Sequence, residues 1–176
     1  MKINKLFSLF VLGGMTVAPG AFAATSGSAP VGLAEKIRHE MVMTPYFNVF
    51  DDLSFRLEDG AVTLFGQVTE PVVKNDVERR VKHIEGVQRV DNQIEVLPLS
   101  TFDNQIRLRT YFSIYGYGPL ERYSLGVQPP IRILVKNGNV TLAGVVATEA
   151  DKQLAFLRAN GVPGVFSVTN DLRVER

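Results

Sequence analysis

The chain has 176 residues, with 19 basic and 18 acidic side chains, two histidines, no cysteine and no tryptophan. Without cysteine there is no disulfide framework, so the fold must rest on a hydrophobic core. The charge is uneven: Leu33–Pro98 nets −4 and Leu99–Arg176 nets +3, which points to two surfaces with different partners. An excess of three positive charges is too feeble for a nucleic-acid surface, and no nucleic-acid partner is expected.

Met1-Lys2-Ile3-Asn4-Lys5 is a positive stretch, and Leu6–Val17 is an apolar run. Ala21-Phe22-Ala23 then forms an A-x-A cleavage signal, so residues 1–23 read as a secretory signal peptide. The run is shorter than the about 20 apolar residues needed to span a bilayer. No cysteine follows the cleavage site to carry a lipid. Residues 24–32 are expected to be a flexible lead.

Leu33–Met43 reads as a helix with Leu33, Ala34, Ile37 and Met41 on one face, stopped by Pro45. Leu53, Phe55 and Leu57, then Val62, Leu64, Gly66 and Val68, alternate with polar residues as half-buried strands do. Asp59-Gly60 between them predicts a tight hairpin. Val73, Val77, Val81 and Ile84 make one helical stripe, Gly86 a sharp turn, and Val87–Val96 a third strand parallel to the second. A further helix over Asn104–Tyr115, ended by Gly116, opens the same series again.

Asp59–Val96 aligns without a gap on Asn137–Val174, 78 residues further on, with 13 of 38 positions identical. The shared pattern is G-x-V-T-L-x-G-x-V, then G-V-x-x-V-x-N, then a last valine. The mature protein is therefore two copies of one unit, residues 33–98 and 99–176. The predicted fold is α+β: two tandem α-β-β-α-β units, each a three-stranded mixed sheet with two helices on one face. Asn92 and Asn170 hold matched places in the third strands, where an amide bonding to backbone at a strand irregularity is expected.

The pattern DGxVTLxGxV, a helix, then GVxxVxNxIxV resembles the BON domain, named for bacterial osmotically inducible and nodulation proteins. The resemblance covers nearly all of the mature chain as two domains in tandem. Its motif is turn glycines and core valines, specific for fold and silent on chemistry. It implies a periplasmic, non-enzymatic protein of envelope maintenance and osmotic stress, with anionic phospholipid as a peripheral partner.

The residues themselves give no catalytic constellation. His39 and His83 stand alone, so no metal site is expected, and there is no G-x-S-x-G elbow. Gly116-Tyr117-Gly118 lacks the third glycine of a dinucleotide loop, and no cofactor is expected. Asp51-Asp52, Glu58-Asp59 and Asp76/Glu78 are assigned to solvated loops and helix faces.

The Asn104–Tyr115 helix has two apolar sides, and one sheet can bury only one of them. Leu108, Tyr111, Phe112 and Tyr115 recur at i, i+3, i+4, i+7 and are assigned to the core. Ile106 and Ile114, flanked by Arg107 and Arg109, are then left for a membrane. Residues 116–130 make a longer connection than Pro45–Asp52 and add Tyr117, Leu120, Arg122 and Tyr123. The expected lipid- or partner-binding set is thus Ile106, Arg107, Arg109, Ile114, Tyr117, Leu120, Arg122 and Tyr123. The alternative is a protein-interaction or chaperone-like module, in which the Ile106/Ile114 face docks on the first unit or on an envelope protein.

Overall fold

The structure, a computed structural model, describes residues 31–126 and 128–175. The expected signal peptide, and the lead as far as residue 30, lie outside the described residues. The first unit runs α1 (Val31–Val42), β1 (Asp52–Glu58), β2 (Ala61–Val68), α2 (Pro71–Lys82), β3 (Arg89–Asn92) and β4 (Glu95–Val96). The second runs α3 (Thr101–Tyr115), a short α4 (Gly118–Glu121), a 3-10 turn over Arg122–Ser124, β5 (Ile131–Lys136), β6 (Asn139–Val146), α5 (Glu149–Asn160) and β7 (Ser167–Val174).

β1 pairs antiparallel with β2, and β2 pairs parallel with β3 and β4. β5, β6 and β7 repeat that order and those directions. Each unit is α+β with both helices on one face of its sheet. Leu33, Ile37 and Met41 of α1 and Val73, Val77 and Val81 of α2 share one core with Val62, Leu64 and Val68 of β2. The second core gathers Ile106 and Ile114 of α3, Ala155 and Ala159 of α5, and Ile131, Ile133, Val140 and Leu142 of the sheet.

The repeated motif has a steric cause. Asp59-Gly60 and Asn137-Gly138 all have positive φ, as a two-residue hairpin turn requires. At Gly66 and Gly144 a β-carbon would lie 2.1 Å from the carbonyl oxygen of Asp52 and 1.9 Å from that of Pro130, so only glycine fits. The matched asparagines do bond to backbone. Asn92 donates to the Lys74 carbonyl at 3.1 Å and accepts from the Ile94 amide at 3.2 Å, where the third strand breaks into β3 and β4. Asn170 repeats this with Lys152 at 3.0 Å and Leu172 at 3.4 Å.

The segment between α1 and β1 ties the units together. The Ile133 amide on β5 donates to the Val49 carbonyl at 3.0 Å. Arg132 stacks over the Phe47 ring at 4.8 Å and donates to the Asn48 carbonyl at 3.2 Å. Lys136 meets Glu95 at 2.5 Å. Asp51, assigned from sequence to a solvated loop, is fully buried. It accepts from the Thr69 amide at 2.6 Å, the Thr69 hydroxyl at 2.8 Å and the Asn48 amide at 3.0 Å. Desolvation raises its pKa, with those bonds and Arg132 acting against the rise.

Candidate functional site

The first helix of the second unit carries four of the expected site residues, Ile106, Arg107, Arg109 and Ile114. Ser100 caps it by accepting from the Asp103 amide at 3.1 Å. Asp103 is buried and accepts from the amides of Asn137 and Gly138 at 2.9 and 2.8 Å, fixing the helix to the β5–β6 turn. That anchor sets the rotation of α3, and the rotation is opposite to the expected one. Ile106, Thr110 and Ile114 face the sheet with no exposed surface, in the place that Leu33, Ile37 and Met41 take in the first unit. Gly86 packs against Leu33, as Gly164 packs against Phe102 and Ile106.

Half of the expected site residues, Ile106, Arg107, Ile114 and Leu120, are therefore internal. Ile106, Ile114 and Leu120 belong to the second core. Arg107 is 4 % exposed and donates to the Val135 carbonyl at 2.8 Å and to the Asn104 side chain. Burial lowers its pKa, and the charges of Asp103 and Asp51 oppose the shift. Tyr115 is buried as expected, its hydroxyl bonding the carbonyl of Ile131 at 2.6 Å and the amide of Ile131 at 3.2 Å. Together with Val49, Tyr115 and Arg107 bond the outer edge of β5.

The long connection folds back on its own unit. Tyr123 donates to Asp151 at 2.9 Å and accepts from the Ala147 amide at 2.8 Å. Arg122 is exposed and pairs with Asp151, which Thr148 also bonds at 2.6 Å. Burial raises the Asp151 pKa, but these three partners outweigh it and hold the carboxyl below its usual range. Tyr117 is half-buried with Arg158 stacked on its ring at 4.8 Å. Only Arg109 of the expected set stays open to solvent without a charged partner among the described residues. Its hydrogen bond to the Pro163 carbonyl is long at 3.4 Å. Ile106 and Ile114 lie neither beneath the first unit nor in the open, but under their own sheet.

What α3 leaves outside is the Leu108 and Phe112 half of the face assigned to the core, while Tyr111 is half-buried and Tyr115 buried. Leu108 is 52 % and Phe112 68 % exposed, with Gln105 and Arg109 beside them and Phe102 further along the same side. The only carboxylate of the helix is the buried Asp103. A groove of about 360 Å³ runs from this face to the inter-unit segment, between Leu108, Tyr111 and Phe112 on one side and Phe47, Phe50 and Arg132 on the other. No helix among the described residues is long and apolar enough to cross a membrane.

The BON domain family model matches residues 31–98 and 124–176. The chain belongs to the BON domain family. BON domains are generally non-catalytic, envelope-associated modules. A search of curated proteins gave no match for this BON protein. Among solved structures, it is similar to the C-terminal domain of CdsD, described as the structural protein of the Type III secretion system of Chlamydia trachomatis. That match has 12 % identity over 84 % of this chain and 100 % of the other, at a TM-score of 0.30. A second CdsD structure matches at 11 % identity over 82 % and 93 %, again at 0.30. Superpositions this loose bear on neither site nor mechanism.

Proposed function

We propose that this is a non-enzymatic periplasmic protein that binds anionic phospholipid reversibly through the outward face of α3. The observation that supports it is the stripe of Phe102, Leu108 and Phe112 beside Arg109, on a helix side that holds no carboxylate. Aromatic and leucine side chains with an adjacent arginine suit the boundary between acyl chains and anionic headgroups. The groove behind Phe112 extends the apolar surface toward Arg132.

Fully burying a leucine or phenylalanine contributes about 1.5–3 kcal/mol. Part of that from three residues, with about 1 kcal/mol from one cation near an anionic surface, gives roughly 5–7 kcal/mol. That corresponds to an affinity from the order of 100 μM to 10 μM, which is peripheral and reversible. Co-sedimentation with phosphatidylglycerol vesicles tests it against phosphatidylcholine vesicles. Leu108→Ser with Phe112→Ser should abolish the pelleting while circular dichroism stays unchanged. Pelleting that survives the double substitution places the contact elsewhere and ends this reading.

A further inference from the structure

The two hairpins are superimposable in register, yet their outer edges are treated differently. The turns close at Glu58/Ala61 and Lys136/Asn139, so alternate residues of β1 and β5 turn their backbone groups away from the sheet. On β5 these are Ile131, Ile133 and Val135. They are met by the Tyr115 hydroxyl, the Val49 carbonyl and the Arg107 guanidinium. The equivalent residues of β1 are Leu53, Phe55 and Leu57. The helix positions corresponding to Tyr115 and Arg107 are Val42 and Ala34, which have nothing to donate or accept. No described segment bonds the outer edge of β1 in the way that Val49 bonds β5.

A cleft of about 410 Å³ lies along that open edge, between α1 and the second sheet. Leu53 and Phe55 line it with Met41, and three arginines reach it from three elements: Arg38 on α1, Arg132 on β5 and Arg173 on β7. None of the three makes an ion pair among the described residues. Asp52 faces Arg132 and Arg173 from the wall of the cleft, and the buried Asp51 also acts on Arg132.

We infer that the β1 edge takes a short extended acidic peptide segment of another protein as an added strand. Backbone bonding to Leu53 and Phe55 would supply the pairing, apolar side chains would enter beside Met41 and Phe55, and acidic ones would meet the arginines. The outer edge of β5 already takes one backbone bond of this kind, from the Ile133 amide to the Val49 carbonyl. The charge favours an acidic peptide over a second copy of this chain, because self-pairing would bring two sets of three arginines together.

Fluorescence anisotropy of a labelled octapeptide of alternating valine and glutamate, titrated with the mature chain, tests the inference. Saturable binding is expected, weakened at least about tenfold in Arg38→Gln with Arg173→Gln, and by N-methylation of every second peptide residue. Alternating valine and lysine should not bind. An unaffected N-methylated peptide would mean charge without strand pairing, and failure of the glutamate peptide to bind would leave no strand acceptor. Either overturns the inference, as does a chain dimer in sedimentation that the peptide cannot dissociate. Loss of phosphatidylglycerol pelleting in the arginine variant, with peptide binding intact, would make the cleft a headgroup site and refute it too.

Discussion

The guanidinium of Arg107 reaches across from α3 to the carbonyl of Val135 on β5 at 2.8 Å, with almost none of the residue exposed. An arginine that reads from sequence as a membrane contact is thus a bracket between helix and sheet edge. Arg107→Ala would free the Val135 carbonyl and open space in the second unit, at a cost of about 2–4 kcal/mol. Urea unfolding should show the loss, while vesicle binding per folded molecule stays as before. A variant of unchanged stability would mean that the bond contributes nothing.

The framework of both units is readable from residue patterns, because turn glycines and alternating valines each satisfy a local rule. The Asp59-Gly60 and Asn137-Gly138 turns, the parallel third strands and the Asn92/Asn170 bonds all follow from matched positions. The orientation of α3 did not, and the cause is Thr110. It stands where Ile37 stands in the first unit, so the true stripe reads Ile106-Thr110-Ile114, while Leu108, Tyr111, Phe112 and Tyr115 imitate a core face. Asp103 anchors the rotation through a turn more than 30 residues away, which no helical projection includes. Aligning the first helices of the two copies would have carried the signal. Asp51 was missed for a similar reason, since its partner Thr69 is distant in sequence.

Thr110 itself is a weak point of the second core. It is fully buried, and its hydroxyl has no hydrogen-bond partner among the described residues. An unsatisfied buried polar group costs about 1–3 kcal/mol. Thr110→Val keeps the shape and removes the hydroxyl, so it should stabilise the protein by roughly 1 kcal/mol. A thermal melt would show a midpoint a few degrees higher, and a lower midpoint would mean that the hydroxyl is satisfied in solution.

The paired asparagines permit an internal comparison. Asn92 bonds the Lys74 carbonyl, the Glu78 carboxylate at 2.8 Å and the Ile94 amide, whereas Asn170 makes only the two backbone bonds among the described residues. Asn92→Ala should cost about 2–3 kcal/mol and Asn170→Ala about 1–2 kcal/mol. Replacement by aspartate should be worse than alanine at either site, because it sets a carboxylate against the helix carbonyl. Chemical denaturation of the four variants gives the ranking, and an inverted order would reject this account of the asparagine bonds.

Asp51 gives the pH-dependent prediction. Burial raises its pKa above the usual 3.8, against the pull of Thr69, Asn48 and Arg132. The native state then keeps a proton at pH values where the unfolded chain has lost it. Its contribution to stability therefore grows as pH falls from neutrality through the folded pKa, and levels off below the unfolded value. Asp51→Asn abolishes that titration and can no longer accept from both backbone amides. It should be less stable than the wild type at pH 7 by about 1–2 kcal/mol. The gap should widen as pH is lowered toward the carboxylate range, since only the wild type gains there. Urea midpoints for both proteins across that range measure it, and a gap that narrows would show the carboxyl pKa to be lowered in the fold.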